Sequence, residues 1–178
     1  ILTLLILLAL GKINFSQNLL IVLFVFVGYA LLGFLDDFLI IKRGKNDGLT
    51  EIQKLFGQLV IAIIFFFIFL KSGHGTSLVI HTLNINIDMG WFYGLFLLFI
   101  LVASSNAVNL TDGLDGLAGG LSAIAFLAFG IIAWGSTWAQ GYEEIAIFCF
   151  VLVGSLLGFL VFNTSPAKVF MGDTGSLS

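Results

Sequence analysis

The chain has 178 residues, of which 60% are hydrophobic and only 10% are charged, and its mean hydropathy is +1.15. Because about a quarter of the residues in a soluble domain are charged, this composition excludes an ordinary soluble protein and predicts an integral membrane protein. The net charge of −3 is too small to indicate a nucleic-acid partner. The single cysteine excludes an internal disulfide.

Long apolar runs predict membrane-spanning helices rather than a barrel, which would need short segments of alternating polarity. The chain begins with the end of one such helix, at residues 1–10, and five complete spans are predicted at 19–35, 55–70, 91–108, 117–134 and 145–162. The predicted fold is therefore an all-α polytopic membrane protein forming a single membrane domain over residues 1–178. Since the chain starts inside an apolar run without a methionine, we expect it to be a fragment of a longer protein.

Two connections between the predicted helices have a pattern of their own. Leu83, Ile85 and Ile87 alternate with polar residues, which predicts a small external β-hairpin at about 76–88. Its two histidines, His74 and His81, share no spacing with a cysteine or carboxylate, so we expect ordinary exposed residues rather than metal ligands. Residues 135–144, which include Trp138, are predicted to form a short external turn.

The loop at residues 42–54 fixes the predicted topology. It contains four of the seven basic residues, so the positive-inside rule places it in the cytoplasm. Counting crossings from there puts three acidic motifs on the same cytoplasmic face: residues 36–37, 109–115 and 173.

The longest of these motifs lies in a polar stretch between two apolar runs. Asn106, Asn109, Asp112 and Asp115 recur at every third position, and this spacing would stack neighbours ~5–6 Å apart if the segment is helical. Carboxylates at a membrane are costly, so such a cluster indicates a functional site. The structural alternative is that Thr111 or Asp112 caps a helix beginning near residue 113.

Asp36 and Asp37 are predicted to close a helix at its cytoplasmic end. Carboxylates are disfavoured there by the negative end of the helix dipole, so stability does not explain them. Nearby Lys42, Arg43 and Lys45 offer a structural alternative, in which the acidic and basic residues form a solvated surface cluster.

Hard oxygen ligands without clustered cysteine or histidine favour Mg²⁺ over zinc. Magnesium usually takes one or two carboxylates and completes its coordination with water and substrate phosphates. Lys54 is placed to offer a point charge to a phosphate, or else to extend its amine out of the membrane as many lysines at helix ends do. Backbone amides at the 112–116 turn could also receive an anion. The set suits phosphoryl transfer between a soluble donor and a lipid acceptor.

Four motifs in this order resemble one known superfamily. They are Asp36-Asp37, the loop from Gly48-Leu49 to Lys54, the run from Asn106 to Leu117, and the segment Phe170-Met-Gly-Asp-Thr-Gly-Ser176. Together they resemble the polyprenyl-phosphate N-acetylhexosamine-1-phosphate transferases and, within them, the phospho-N-acetylmuramoyl-pentapeptide transferases. The resemblance implies a ten-helix membrane fold, Mg²⁺ as cofactor, and an active site on the cytoplasmic face of the bacterial plasma membrane.

The implied reaction belongs to peptidoglycan synthesis. Phospho-MurNAc-pentapeptide is transferred from UDP-MurNAc-pentapeptide to undecaprenyl phosphate, giving lipid I and UMP. The expected partners are these two substrates and the lipid bilayer, with no nucleic acid, and a homodimer is one assembly that the sequence leaves open. The family's first cytoplasmic loop and its histidine-rich last loop lie outside these residues, so we expect this chain alone to be inactive.

The resemblance also implies roles for individual residues. Asp173 would ligate Mg²⁺, and Asp36 would be the candidate base that deprotonates the lipid phosphate, with Asp37 beside it. Phe170 would stack on uracil. The residues implied to hold the nucleotide sugar are Lys54, Asn109, Leu110, Asp112, Asp115, Asn163 and Phe170.

Two other functions remain open from the sequence. A sister transferase that uses UDP-GlcNAc would share the same carboxylates. An ion-coupled transporter could use membrane aspartates as a relay, although such sites usually lie near the bilayer midplane. An intramembrane aspartyl protease is excluded, because its Gly-x-Gly-Asp motif requires glycine where this chain has Phe170.

Overall fold

The computed structural model describes residues 2–11, 13–14, 16–44, 48–135 and 141–178. Seven helices and two strands follow one another along these residues. In chain order they are α1 (Leu2–Ala9), α2 (Gln17–Arg43), α3 (Glu51–Lys71), β1 (Ser77–Ile80), β2 (Ile85–Asp88), α4 (Trp91–Thr111), α5 (Leu117–Gly135), α6 (Glu143–Asn163) and α7 (Gly172–Ser176).

Within the described ranges, the five helices α2 to α6 are long and apolar enough to cross a membrane. The predicted helical membrane fold, with five full spans and a shorter first helix, is therefore confirmed. Two predictions fall on residues outside those ranges: the basic loop at 45–47 and the external turn containing Trp138.

The chain divides into two compact units. The first unit comprises residues 1–23 and 110–171, and there α5 packs against α6, with Gly119 lying close to the side chains of Phe159 and Leu160. The second unit comprises residues 24–109 and 172–178 and contains most of α2 and α4, together with α3, the two strands and α7. A single membrane domain over the whole chain stays a prediction.

Helix α2 is longer than predicted. Its apolar sequence resumes after Asp37 with Phe38, Leu39, Ile40 and Ile41, and the helix ends at the basic pair Lys42-Arg43, where the dipole favours cations. The two aspartates therefore lie inside the helix, and the expectation that they close it was wrong. Because the dipole effect falls off within the last turn, the penalty that we assigned to them at a helix end does not apply.

Helix α3 begins earlier than its apolar run because its first turn has a capping box. The Thr50 hydroxyl accepts a hydrogen bond from the Gln53 amide at 3.3 Å, and the Gln53 side chain accepts one from the Thr50 amide at 2.9 Å. This reciprocal pair satisfies amides that have no partner within the helix. The cap brings Lys54 into the first turn of α3.

The predicted hairpin is present between Ser77 and Asp88. Its two strands pair antiparallel with Ser77 opposite Asp88 and Ile80 opposite Ile85, and Asn84 in the connection has a φ of +52°. His74 is half-buried rather than exposed as expected, because its ring stacks on Phe69 with centroids 4.5 Å apart. His81 is exposed as predicted.

The polar stretch after residue 105 is only partly helical. Asn106 and Asn109 lie in α4, but this helix ends at Thr111, so Asp112 and Asp115 fall in the connection to α5. The predicted stack on one helix face therefore holds for the two asparagines alone. The capping alternative was also wrong, because α5 begins at Leu117 and the amide of Gly116, just before it, donates to the side chain of Asn163.

Candidate active site

Three carboxylates meet in the second unit. Asp36 and Asp37 are neighbours in α2, and Asp173 lies in the first turn of α7, more than 130 residues later in the chain. One oxygen of each lies within 4.8 Å of the others, an arrangement that could hold a metal ion. We call these three residues the carboxylate cluster.

Lys54 pairs with two members of the cluster. Its ammonium nitrogen lies 2.6 Å from Oδ2 of Asp173 and 3.2 Å from Oδ2 of Asp36. The other oxygen of Asp36 accepts a hydrogen bond from the amide of Leu49 at 2.5 Å. Asp36 is 2% exposed, so these contacts replace the water that a surface carboxylate would have. The pairing with Lys54 also provides a specific alternative to the solvated surface cluster considered above.

Asp37 fixes the start of α7. Its carboxylate accepts hydrogen bonds from the amides of Asp173 at 3.1 Å and Thr174 at 2.9 Å, and from the Thr174 hydroxyl at 2.5 Å. A side-chain acceptor at this position satisfies the first amides of a helix. Asp37 thereby holds the backbone that carries Asp173 against α2.

Two glycines allow this close approach. Gly33 lies one turn before Asp37, and a methyl group on it would stand 2.7 Å from the amide nitrogen of Thr174, with the carbonyl of Asp173 closer still. Gly172 has a φ of +62°, and a methyl group there would meet the carboxylate of Asp37 at 2.8 Å. The contact between α2 and α7 therefore requires glycine on both sides.

Asn109 completes the surroundings of Asp173. Its side-chain nitrogen donates to Oδ1 of Asp173 at 3.0 Å and to the hydroxyl of Ser176 at 2.7 Å. Asn109 thus orients Asp173 through Oδ1, while Lys54 pairs with Oδ2 of the same side chain. Of the ten predicted site residues, five are brought together in this unit: Asp36, Asp37, Lys54, Asn109 and Asp173.

Asp115 and Asn163 form a separate set of contacts in the first unit. Asn163 is buried, accepts a hydrogen bond from the amide of Gly116 at 3.0 Å and donates to the carbonyl of Val169 at 2.9 Å. Asp115 accepts a hydrogen bond from the amide of Ala167 at 3.0 Å. These bonds tie the connection before α5 to the loop that follows α6.

The remaining three predicted residues also belong to the first unit. Phe170 follows directly on Val169, whose backbone Asn163 holds, and its own side chain is 73% exposed. Leu110 is 83% exposed at the end of α4, and Asp112 is half-buried in the connection to α5. An exposed aromatic ring on a fixed backbone is available for stacking against a planar ligand.

The residues present fit a hard divalent cation. The carboxylate cluster supplies oxygen ligands only, and three carboxylates facing one ammonium leave an excess of two negative charges. Oxygen ligands of this kind suit Mg²⁺. Among the residues that the structure describes, no group of three or more potential metal ligands contains a histidine or a cysteine. Asp36, Asp37 and Asp173 are thus the residues that could hold the ion.

Several residues of the site were missed in the sequence. Thr174 and Ser176 stood in a motif already singled out, and their hydroxyls could have been noted as side-chain donors or acceptors. Gln58 had a clear signal, because it is the one polar side chain in the run from Leu55 to Leu70. Gly33 had none, since its role depends on a contact with a segment about 140 residues away.

The sequence profile of glycosyl transferase family 4 matches residues 19–178, which include every residue of the carboxylate cluster and its partners. The chain belongs to glycosyl transferase family 4. The transferase resemblance seen in the motifs is therefore confirmed, and a family of glycosyl transferases leaves the transporter alternative without support.

Curated members of glycosyl transferase family 4 are similar over most of the chain. A phospho-N-acetylmuramoyl-pentapeptide-transferase of Geobacillus thermodenitrificans is 56% identical over 158 residues, which are 89% of this chain and 48% of the relative. Proteins of the same name from Oceanobacillus iheyensis and Bacillus subtilis are 54% and 51% identical, over 93% and 92% of this chain and 49% of each relative. The chain spans about half the length of these curated relatives.

Proposed function

We propose that the protein containing this chain transfers phospho-MurNAc-pentapeptide from UDP-MurNAc-pentapeptide to undecaprenyl phosphate, giving lipid I and UMP. The relatives named above are phospho-N-acetylmuramoyl-pentapeptide-transferases, and an identity above 50% supports the same reaction here. The observation that carries the proposal is the carboxylate cluster with Lys54 bridging two of its members. We propose further that it works at the cytoplasmic face of the bacterial plasma membrane.

The proposed chemistry is an exchange at one phosphorus atom. An oxygen of the lipid phosphate forms a bond to the sugar-bearing phosphorus, the pyrophosphate bond to UMP breaks, and UMP leaves with the bridging oxygen. Such reactions depend mainly on positioning and on neutralising charge. When bound at the carboxylate cluster, Mg²⁺ would neutralise the phosphate oxygens and hold them for this exchange.

The chain's own residues would act on the phosphates in a defined order. Lys54 is held by Asp36 and Asp173, and the diphosphate of an arriving UDP-sugar donor would draw its ammonium group away from them, because a diphosphate carries more negative charge than a single carboxylate. Oδ2 of Asp36 would then be released to take a proton from the lipid phosphate. Asp37 would keep its contacts with α7 and so hold Asp173 in place.

The predicted donor-binding residues would have distinct tasks. Phe170 would stack on uracil, while Asp112, Asp115 and Asn163 would hold the ribose, the sugar or the loop that carries Phe170. The contacts from Asn163 to Gly116 and Val169 support the last of these tasks. Leu110 would supply an apolar contact, and Asn109 would position Asp173 as well as substrate.

Phe170→Ala should mainly weaken binding of the nucleotide donor. Stacking between a base and an aromatic side chain is worth ~1–3 kcal/mol, so we expect the KM for the UDP-sugar to rise roughly tenfold while kcat changes less than threefold. Steady-state kinetics of the full-length protein would measure both. Phe170→Tyr keeps the aromatic face and is the matched control, expected to stay near the wild type. An unchanged KM in Phe170→Ala would remove the stacking role.

The function itself is tested by UMP release. The full-length protein in detergent, with Mg²⁺ and undecaprenyl phosphate, would be supplied with either UDP-MurNAc-pentapeptide or UDP-GlcNAc. We expect turnover of the muramoyl donor alone. Turnover of UDP-GlcNAc alone would instead assign the protein to the sister transferases, and no UMP release with either donor would contradict the proposed reaction.

A further inference from the structure

A second polar layer lies one helical turn away from Lys54, Asn109 and Asp173. Gln58 follows Lys54 by four residues in α3, Ser105 precedes Asn109 by four residues in α4, and Leu177 follows Asp173 by four residues. Residues four apart are neighbours on one helix face. Asp173 accepts hydrogen bonds from Lys54 and Asn109. In the second layer, Ser105 is bonded in the same way to Gln58 and to the carbonyl of Leu177.

Gln58 is the centre of this second layer. Its side-chain nitrogen donates to the Ser105 hydroxyl at 3.3 Å, and that hydroxyl donates to the carbonyl of Leu177 at 2.6 Å. The side-chain oxygen of Gln58 accepts a hydrogen bond from Asn106 at 2.8 Å, and the backbone carbonyl of Gln58 accepts one from the Tyr29 hydroxyl at 3.3 Å. Gln58 therefore connects α2, α3, α4 and the residue that follows α7.

Burial makes this arrangement demanding. Gln58 and Leu177 are almost completely buried, and Ser105 is 8% exposed. A buried amide or hydroxyl without a partner costs about 1–3 kcal/mol, so each hydrogen bond lost from this layer would be costly. The polar groups of α3, α4 and the Leu177 segment therefore keep their partners only when these three parts of the fold hold their present positions relative to one another.

The same network sets the orientation of Asn106. Its side-chain nitrogen donates both of its hydrogens, one to Oε1 of Gln58 and one to the carbonyl of Val102 at 2.8 Å. Because the Val102 carbonyl and Oε1 of Gln58 can only accept hydrogen bonds, the nitrogen end of the Asn106 amide must face both of them. The oxygen of Asn106 is consequently the end left for other contacts.

We propose that Gln58 is a positioning residue for the transfer reaction. Through Ser105 and the carbonyl of Leu177 it fixes α3, α4 and the α7 segment in the register that places Lys54 and Asn109 on the two oxygens of Asp173. None of the hydrogen bonds described for Gln58 reaches the carboxylate cluster itself. The effect on turnover rests on the function proposed above, whereas the effect on Lys54 does not.

The first test compares Gln58→Met with Phe66→Leu in the full-length protein. Both residues are buried in α3 of the second unit, but the apolar side chain of Phe66 forms none of the hydrogen bonds of the polar layer. A misplacement of about 1 Å can lower a rate on the order of 100-fold, so we expect Gln58→Met to reduce kcat by ~10- to 100-fold with less than a threefold change in KM. At a similar loss of melting temperature, Phe66→Leu should keep kcat within twofold.

The second readout does not need activity. Lys54 would be labelled with an amine-reactive reagent, and its labelling rate would be divided by that of Lys71, which is exposed at the end of the same helix. We expect this ratio to rise several-fold in Gln58→Met and to stay constant in Phe66→Leu. If the wild type released no UMP from the muramoyl donor but the labelling ratio still rose in Gln58→Met, the proposed reaction would fail, while the placement of Lys54 by Gln58 would stand.

Ser105 supplies a second route should Gln58→Met fold poorly. Ser105→Ala removes the hydroxyl between Gln58 and Leu177 and should reproduce the loss of kcat and the faster labelling of Lys54, while Ser105→Thr keeps the hydroxyl and should restore at least half of the wild-type kcat. Equal effects of the Gln58 and Phe66 variants at equal melting temperature, or equal effects of the two Ser105 variants, would overturn the proposal.

Discussion

Asp173→Asn should abolish magnesium-dependent turnover. The new asparagine can still accept the hydrogen bond from Asn109. However, an amide nitrogen replaces the oxygen that pairs with Lys54, and the cluster loses one of its three carboxylates. We expect kcat to fall on the order of 1,000-fold, as when a preorganised electrostatic group is removed from an active site. The residual rate should no longer rise with Mg²⁺ concentration.

The measurement is UMP release by the full-length protein over a series of Mg²⁺ concentrations. Asp88→Asn is the matched control, because it makes the same chemical change at the exposed hairpin, where Asp88 accepts hydrogen bonds from Thr76 and Gly90. It should stay within twofold of the wild type. An Asp173→Asn enzyme with wild-type turnover would show that Asp173 has no part in the reaction.

Gly33→Ala should inactivate the protein without loosening its helices. Alanine is favoured over glycine in a helix interior by about 1 kcal/mol, so α2 itself should not be destabilised. The added methyl group would overlap the backbone of Asp173 and Thr174 and push α7 away from α2. Because Asp173 moves with it, we expect kcat to fall by about 100-fold or more.

The control for this prediction is Gly154→Ala in α6, where an added methyl group would meet no described atom within 4 Å apart from its chain neighbours and the nearby backbone of its own helix. Helix content from circular dichroism and kcat from UMP release would be measured for both variants. Wild-type kcat in Gly33→Ala would mean that the close approach of α2 and α7 is not needed for activity.

The spans of the fold were predictable because each is a long apolar run bounded by polar residues. The ends were not, and α2 shows why. Asp36 and Asp37 looked like the end of a span, yet the helix continues to Arg43, since Lys54, Leu49 and the amides of α7 supply partners for both carboxylates. Those partners come from distant parts of the chain and leave no mark next to the aspartates.

The candidate site was predictable in its residue types but not in its pairings. Oxygen ligands in three motifs indicated one acidic cluster, and the structure brings together the carboxylates of two of these motifs, Asp36, Asp37 and Asp173. The spacing of Asn106 to Asp115 suggested one helix face, but α4 ends at Thr111. Lys54 was expected to meet phosphate, and its pairing with Asp173 depends on a contact across 119 residues that spacing cannot reveal.

The most direct test of the carboxylate cluster as the magnesium site is to count bound Mn²⁺, which shares the oxygen-ligand preference of Mg²⁺. Electron paramagnetic resonance of free Mn²⁺ during titration would give the number of ions bound to the full-length protein in detergent. We predict a site present in the wild type and in Asp88→Asn but lost in Asp173→Asn. Equal number and affinity of bound ions in all three proteins would contradict a metal site at Asp36, Asp37 and Asp173.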